Sequence, residues 1–198
     1  MRITPVDDKN TLFLIEDILS EETFNKIDER DDLLDIPWVR QNWQEHWERR
    51  LLDIKPEDGG IFNDIEQEID SHRHEIGKAV GIKFTEINSK FWVDTEGFTV
   101  TPHIDNPGVK IALQIYLKDC EGAGTTFYNL REEDVKIKDD SQRYHWNNAL
   151  PWPPVRYTFD GKRNTGYIML NNMTQLHGVP ITLGKDRLRL SAYCGCKE

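Results

Sequence analysis

The sequence has a deficit of positive charge. It contains 25 Lys and Arg residues against 35 Asp and Glu residues, so its formal net charge is −10 with neutral histidines. A nucleic-acid-binding protein needs a basic face to displace counterions from phosphates, and an anionic lipid surface attracts the same kind of face. The charge therefore argues against nucleic acid and against a membrane surface as partners.

Long apolar runs and a cysteine framework are missing as well. Mean hydropathy is −0.66, and no stretch approaches the roughly 18 apolar residues of a membrane helix. The first residues lack the apolar segment of a secretory signal, which favours a cytoplasmic location. Three cysteines are too few for a disulfide framework, so we expect reduced thiols at Cys120, Cys194 and Cys196.

The first part of the chain, to about residue 84, has mainly helical patterns. A short strand is predicted over Leu12–Ile15, and Ser20 is a good N-cap for a helix running toward Leu34. Pro37 suits the first turn of a second helix. Its apolar stripe recurs every four residues, at Val39, Trp43, Trp47 and Leu51. Spaced isoleucines predict a third helix from Ile61 to Val80, ending near Gly81.

From Thr85 onward, short apolar runs alternate with turn residues, which is typical of an all-β sandwich or jelly roll. The predicted strands lie at residues 91–93, 98–101, 109–117, 124–128, 155–159, 166–170 and 187–194. Residues 131–154 are polar and are interpreted as a long insertion between strands. Long loops in compact domains are often functional.

His103 and Asp105 are two residues apart in an extended segment, so both side chains leave the same face of a strand. His177 follows another predicted strand and supplies a third ligand. Two histidines and one carboxylate form the facial triad of non-haem Fe(II) oxygenases, which leaves coordination positions open. The pattern therefore predicts a catalytic metal site at these three residues.

Two arginines follow His177 at the head of the last predicted strand. Arg187 lies ten positions after His177, and a buried guanidinium there could hold a carboxylate through two parallel hydrogen bonds. Arg189 faces the same side of the strand and is the alternative anchor. The spacing favours Arg187.

These motifs together resemble the 2-oxoglutarate- and Fe(II)-dependent dioxygenases, in particular their prolyl-hydroxylase-like branch. The resemblance covers about residues 91 to 195 and includes the sequence around each candidate ligand. The matching segments are Pro102–Pro107, Ile115–Lys118, Gly122–Phe127, Leu176–Pro180 and Arg187–Leu190.

The resemblance implies a mainly β (α+β) fold, a double-stranded β-helix or jelly roll with N-terminal helices packed on one sheet. Residues 1–198 would form a single dioxygenase domain. Its first 84 residues would be the helical buttress, and residues 85–198 would be the core with the insertion at 131–154.

The resemblance also assigns roles to the candidate residues. His103, Asp105 and His177 would bind Fe(II), which 2-oxoglutarate would chelate beside a position for O2. Arg187, or alternatively Arg189, would hold the distal carboxylate of 2-oxoglutarate. Tyr116 would face that carboxylate, although a plain core role fits it equally well.

The expected reaction is hydroxylation of a C–H bond, coupled to decarboxylation of 2-oxoglutarate to succinate. The substrate would be a peptidyl proline or a small molecule, and His145, Trp146 and Arg156 are candidate contacts for it. The alternative is a cupin-like jelly roll that binds a metal or ligand without oxygenase turnover. Either a monomer or a homodimer fits the sequence.

Overall fold

The computed structural model describes most of the chain. The described residues are 1–30, 38–41, 49–52, 60–106, 108–120, 122–130, 135–138, 144–146, 150–172, 174–180, 184 and 188–197. Within them, two antiparallel sheets and three helices are present. We number strands and helices in chain order.

The larger sheet contains eight strands. Their order across the sheet is β1 (Arg2–Pro5), β2 (Leu12–Glu16), β12 (Thr165–Leu170), β7 (Ile111–Tyr116), β14 (Arg189–Lys197), β5 (Glu86–Asp94), β4 (Arg49–Leu52) and β3 (Trp38–Gln41). The central strand β7 is buried along its whole length. Burial on both faces explains why its sequence is a continuous apolar run rather than an alternation of apolar and polar residues.

The smaller sheet contains six strands. Their order is β11 (Val155–Thr158), β8 (Thr126–Tyr128), β13 (His177–Val179), β6 (Val100–Ile104), β10 (Tyr144–Trp146) and β9 (Val135–Lys138). An apolar core containing Tyr116 and Tyr167 of the larger sheet and Phe127 and Val179 of the smaller one lies between the two sheets. The predicted mainly β jelly-roll architecture is confirmed.

Three helices cover the other face of the larger sheet. They are α1 (Glu21–Asp28), α2 (Ile61–Ser71) and α3 (Arg73–Val80). Phe24, Ile65 and Ile76 of these helices share a second core with Leu113 and Ile115 of β7. Because side chains alternate along a strand, Gln114 and Tyr116 point away from the helices, into the space between the sheets.

The predicted helix ends agree with the structure only in part. Ser20 caps α1 by accepting a hydrogen bond from the Thr23 amide, and Gly81 ends α3 in the left-handed conformation. The first helix ends at Asp28 rather than continuing toward Leu34, since polar Arg30 interrupts the apolar stripe one turn after Ile27. The third predicted helix is divided at His72 into α2 and α3.

The second predicted helix is wrong where the structure describes it. Residues 38–41 and 49–52 form the strands β3 and β4, and β4 pairs with β5. Val39 lies directly opposite Leu51, so two members of the apparent helical stripe form a cross-strand pair. Pairing with the edge of a large sheet overrode a weak local helix signal. Pro37, Trp43 and Trp47 lie outside the described residues.

The segment 131–154, predicted as an insertion between strands, carries two strands. β9 and β10 extend the smaller sheet beyond β6, and His145 of β10 lies opposite His103. The segment therefore adds side chains to the sheet that holds two of the candidate ligands. Residues 131–134, 139–143 and 147–149 of this segment lie outside the described residues.

The three cysteines are free thiols, and Cys120 and Cys194 are buried. Burial raises the pKa of the Cys120 thiol to about 11. Among the described residues, no helix is long and apolar enough to span a membrane.

A substitution at Gly166 tests how closely the strands of the larger sheet pack around this residue. A Cβ on Gly166 would lie 1.8 Å from the carbonyl oxygen of Gln114. We expect Gly166→Ala to lower the free energy of unfolding by about 1–3 kcal/mol or more, because the obstructing atom is backbone. Gly195 of the same sheet has no atom within 4 Å of such a Cβ, so Gly195→Ala should stay within about 1 kcal/mol of wild type. Urea denaturation measures both, and equal losses would contradict this packing.

Candidate metal centre

Three loops meet at one end of the jelly roll. The Asn171 side-chain amide donates to the carbonyl oxygens of Asn106 and Val109, at 3.1 and 2.7 Å. Gln175 donates to the Thr11 hydroxyl at 2.8 Å. The loop between β12 and β13 thus joins the loop after β6 to the turn between β1 and β2. We call this end of the jelly roll the triad end.

His103, Asp105 and His177 converge at the triad end. Each offers one ligand atom, and the three atoms lie within 4.8 Å of one another. The Nε2 atom of His103 is 3.4 Å from Oδ1 of Asp105, and the Nε2 atom of His177 is 3.9 Å from Oδ2. Asp105 and His177 are buried, and His103 is half-buried.

Strand pairing places the two imidazoles together. His177 of β13 lies directly opposite His103 of β6, and it also lies opposite Phe127 of β8. Paired residues project to the same face of a sheet, and Phe127 belongs to the core between the sheets. Both imidazoles therefore point into the interior, and the Phe127 ring stacks on His177 at a centroid distance of 5.3 Å.

The backbone determines which nitrogen of each ring faces Asp105. His103 Nδ1 lies 3.0 Å from the Thr101 carbonyl oxygen, and His177 Nδ1 lies 2.9 Å from the Gln175 carbonyl oxygen. A carbonyl only accepts, so each Nδ1 carries the proton and donates it. In a neutral ring the lone pair then lies on Nε2, the usual state of a metal-binding histidine.

The donor set fits a divalent transition metal. Two imidazole lone pairs and a carboxylate converge without a proton between them in this tautomeric state, so a cation is the group that would offset their mutual repulsion. Three protein ligands leave further positions open for small molecules, as in catalytic rather than structural metal sites.

A second polar cluster lies deeper between the sheets, around Arg189. Its side chain is 2% exposed, and Nη1 donates to Asp94 at 2.8 Å. The Tyr116 ring lies 5.3 Å from its guanidinium carbon. Thr125 donates its backbone amide to the Tyr116 hydroxyl at 2.8 Å and accepts from Arg189 Nη2 at 3.4 Å. The cluster holds one full positive charge against one carboxylate.

Within the described residues, two buried polar atoms of this cluster have no hydrogen-bond partner. They are Nε of Arg189 and Oγ of Ser191. The two residues are two apart on β14, so their side chains leave the same face of the strand. Unpaired buried donors are costly and call for an explanation such as a bound ligand. Nε and Nη2 together form one edge of the guanidinium fork, which suits a carboxylate.

Strand β14 connects the two clusters. Arg189, Ser191 and Tyr193 alternate along one face, and the Tyr193 hydroxyl donates to Asp105 at 3.4 Å. Four residues of strand span about 13 Å between Cα atoms. Tyr167 also lies in this interior, where burial raises its pKa above the ordinary value, so it stays a neutral phenol and donates to Gln114 at 2.8 Å.

The candidate substrate contacts have different positions. His145 faces the interior beside His103, with ring centroids 6.1 Å apart. Trp146 packs with Ile104 and Leu176 in a separate apolar cluster. Arg156 lies at the triad end and donates to Gln175 Oε1 at 2.6 Å.

Arg187 lies outside the described residues, so its predicted role as carboxylate anchor is untested. Sequence reasoning missed Asp94, Thr125 and Tyr193. Asp94 ends β5 directly opposite Arg189, but only the strand register makes that pairing visible. Thr125 lies in a Gly-rich turn, and the sequence of this turn does not indicate that Thr125 contacts Tyr116 and Arg189.

The fold is similar to that of several solved enzymes. A Pseudomonas putida prolyl-4-hydroxylase matches with a TM-score of 0.63 and 12% identity, over 98% of this chain and 97% of that one. A Trichoplax adhaerens prolyl hydroxylase, solved with a peptide fragment of the hypoxia-inducible factor degradation domain, matches with a TM-score of 0.67 and 12% identity, over 96% and 84%.

HygX from Streptomyces hygroscopicus, solved with nickel and 2-oxoglutarate bound, matches with a TM-score of 0.61 and 11% identity, over 94% and 82% of the two chains. These likenesses establish the fold: the chain adopts the double-stranded β-helix of prolyl hydroxylases and related 2-oxoglutarate oxygenases. No protein-family model matches the sequence, and no curated protein matches it significantly.

The buried Asp94–Arg189 pair predicts a large effect on stability. Asp94→Asn would leave the guanidinium buried without its counter-charge, which typically costs about 3–5 kcal/mol. The matched control is Asp28→Asn, which removes a partner of Arg163 at 2.5 Å in a pair with substantial solvent exposure. Exposed pairs contribute about 1 kcal/mol or less. Denaturant unfolding should rank the two variants in that order, and the reverse ranking would contradict the burial of the pair.

Proposed function

We propose that this protein is a non-haem Fe(II)- and 2-oxoglutarate-dependent dioxygenase that hydroxylates a C–H bond of a peptide or small molecule. The observation that carries the proposal is the convergence of His103, Asp105 and His177 at the triad end. The fold of known 2-oxoglutarate oxygenases supports it, and the Arg189 cluster offers a place for the cosubstrate carboxylate.

The three triad residues would hold iron through His103 Nε2, His177 Nε2 and one carboxylate oxygen of Asp105. Bound iron, 2-oxoglutarate and O2 would supply the oxidising chemistry, in which 2-oxoglutarate is converted to succinate and carbon dioxide. The chain's own contribution is positioning. The Thr101 and Gln175 carbonyls orient the two rings, and Tyr193 holds one oxygen of Asp105.

We infer that Arg189 anchors the distal carboxylate of 2-oxoglutarate, although the sequence spacing favours Arg187. Arg189 is buried, and its Nε donor has no partner in the described part of the chain. Asp94 occupies the Nη1 side of the guanidinium, so the Nε–Nη2 edge remains for a second carboxylate. Tyr116 lies against the same guanidinium, which supports its assignment to the cosubstrate site rather than to the core alone.

The substrate pocket would be formed at the triad end, with His145 and Arg156 as contacts. Trp146 packs in the separate apolar cluster with Ile104 and Leu176 and is the weakest of the three candidates. Three free thiols suit a reducing compartment, which supports the expected cytoplasmic location. Both a monomer and a homodimer remain compatible with the proposal.

Turnover of 2-oxoglutarate tests the proposal. With Fe(II), ascorbate and air, the wild-type chain should convert 2-oxoglutarate to succinate even without its substrate, in a slow uncoupled reaction. His177→Ala removes a metal ligand and should abolish this reaction. Arg189→Met should raise KM for 2-oxoglutarate by about tenfold or more, because a charge-assisted hydrogen bond to the carboxylate is lost. Succinate is measured by chromatography.

Arg163→Gln is the matched control, because Arg163 is an exposed arginine paired with Asp28 on the helical side of the protein. It should leave KM unchanged. An Arg189→Met variant that folds normally and keeps the wild-type KM would exclude Arg189 as the anchor and return the assignment to Arg187. Succinate formation that survives His177→Ala would contradict the metal site itself.

A further inference from the structure

Arg156 is directed inward by an irregularity in the smaller sheet. In the pairing of β11 with β8, Val155 lies opposite Tyr128 and Tyr157 lies opposite Phe127, so Arg156 has no partner and the register shifts at this point. Such a bulge places two successive residues against one and re-aims a side chain, often beside an active site. The Arg156 guanidinium carbon consequently lies 5.8 Å from the centre of the inward-facing Phe127 ring.

The guanidinium of Arg156 contacts neutral acceptors alone within the described part of the chain. Nη2 donates to the Gln175 side-chain oxygen at 2.6 Å, and Nη1 reaches the Thr174 carbonyl oxygen at 3.5 Å. Nε is buried and has no hydrogen-bond partner among the residues that the structure describes. Burial lowers the pKa of Arg156 below its ordinary value, but the group stays charged at neutral pH. A half-buried cation with an unpaired donor is an incomplete arrangement.

The nearby carboxylate of Asp7 is committed elsewhere. It accepts hydrogen bonds from the Thr11 amide at 2.8 Å and the Thr11 hydroxyl at 2.6 Å, and it holds the turn between β1 and β2. Asp7 affects Arg156 only through its negative charge, which acts to raise the pKa of the guanidinium. The described residues give Arg156 no direct carboxylate partner, in contrast to Arg189, which has Asp94.

Arg156 lies close to the metal ligands. The Phe127 ring is shared: His177 stacks on it at 5.3 Å and Arg156 lies 5.8 Å from its centre, so the guanidinium is at most about 11 Å from the His177 ring. Gln175, which accepts from Arg156, also provides the carbonyl that orients His177. The side-chain oxygen of Asn171 lies in the same loop and is a second buried polar atom without a partner among the described residues.

We propose that Arg156 binds an anionic group of the primary substrate, so that this protein acts on a carboxylic acid or an acidic peptide. This inference rests on the proposed function, which makes the triad end the reaction site. The protein's charge of −10 repels anions at long range. Recognition of an acid therefore needs a local cation, and Arg156 supplies one where a substrate held near the iron ligands would lie.

A binding assay without redox chemistry tests this proposal. The full chain is loaded with Zn(II), which supports no redox reaction, and with saturating 2-oxoglutarate to occupy the Arg189 region. The probes are acetate, hexanoate and phenylacetate, each compared with its neutral carboxamide, and inorganic phosphate. Ligand-observed NMR gives the dissociation constant for each probe.

We expect the wild-type chain to bind at least one of these acids about tenfold or more tightly than the matched amide. The carboxylate can form a charge-assisted hydrogen bond with Arg156, whereas the neutral amide cannot. Arg156→Gln should remove the preference, and Arg156→Lys should keep part of it. Arg163→Gln, the exposed-arginine control, should keep all of it. Circular dichroism and thermal unfolding establish that each variant is folded, and Arg156→Lys covers the case in which Arg156→Gln is unstable.

Two results would overturn the proposal: no preference for any acid over its amide in the wild-type chain, or a preference that survives Arg156→Gln. The assay contains neither Fe(II) nor turnover. Its failure is therefore separate from a failure of the oxygenase proposal, which would appear as an absence of succinate formation while acid binding at Arg156 persists.

Discussion

The structure depends on one cross-strand pair, His103 of β6 opposite His177 of β13. This register brings two imidazoles to the same face of the smaller sheet. Asp105, the first residue after β6, adds the carboxylate. A slip of one residue would turn one imidazole to the other face. The backbone carbonyls of Thr101 and Gln175 then fix each ring so that its Nε2 lone pair points to a common centre.

The interior contains two cations in contrasting surroundings. Arg189 is buried between the sheets against Asp94, which offsets the cost of burying a charge. Arg156 lies at the triad end with neutral acceptors. In the first arrangement Asp94 offsets the charge and leaves one edge of the guanidinium for a second carboxylate. The second is completed by an anion from outside. The proposed division between cosubstrate and substrate follows from this difference.

The fold and the convergence of the three candidate ligands were the most predictable features. His103 and Asp105 are two residues apart on an extended segment, and His177 lies next to a predicted strand. Both signals depend only on neighbouring residues in the sequence, so distant pairing does not change them. Strand β7 was equally predictable, because a short, nearly continuous apolar run is typical of a strand buried on both faces. The Ser20 and Gly81 helix boundaries were predictable for the same reason, since caps depend on a few adjacent residues.

Features set by distant pairing were not predictable. The stripe containing Val39 and Leu51 has helical spacing, yet the edge of β5 recruits these residues as strands. The bulge at Arg156 arises from the pairing of β11 with β8, whose register shifts between Val155 and Tyr157. Asp94 becomes the partner of Arg189 through the register of β5 and β14. Each depends on residues far apart in the sequence.

The central claim is that the three converging ligands hold an iron that also chelates 2-oxoglutarate. The most direct test is the visible spectrum of the protein with Fe(II) and 2-oxoglutarate under anaerobic conditions. We expect a metal-to-ligand charge-transfer band that appears when 2-oxoglutarate is added and is absent in His177→Ala. A wild-type protein that binds one equivalent of iron but shows no band with 2-oxoglutarate would contradict the account and favour a cupin-like metal-binding protein.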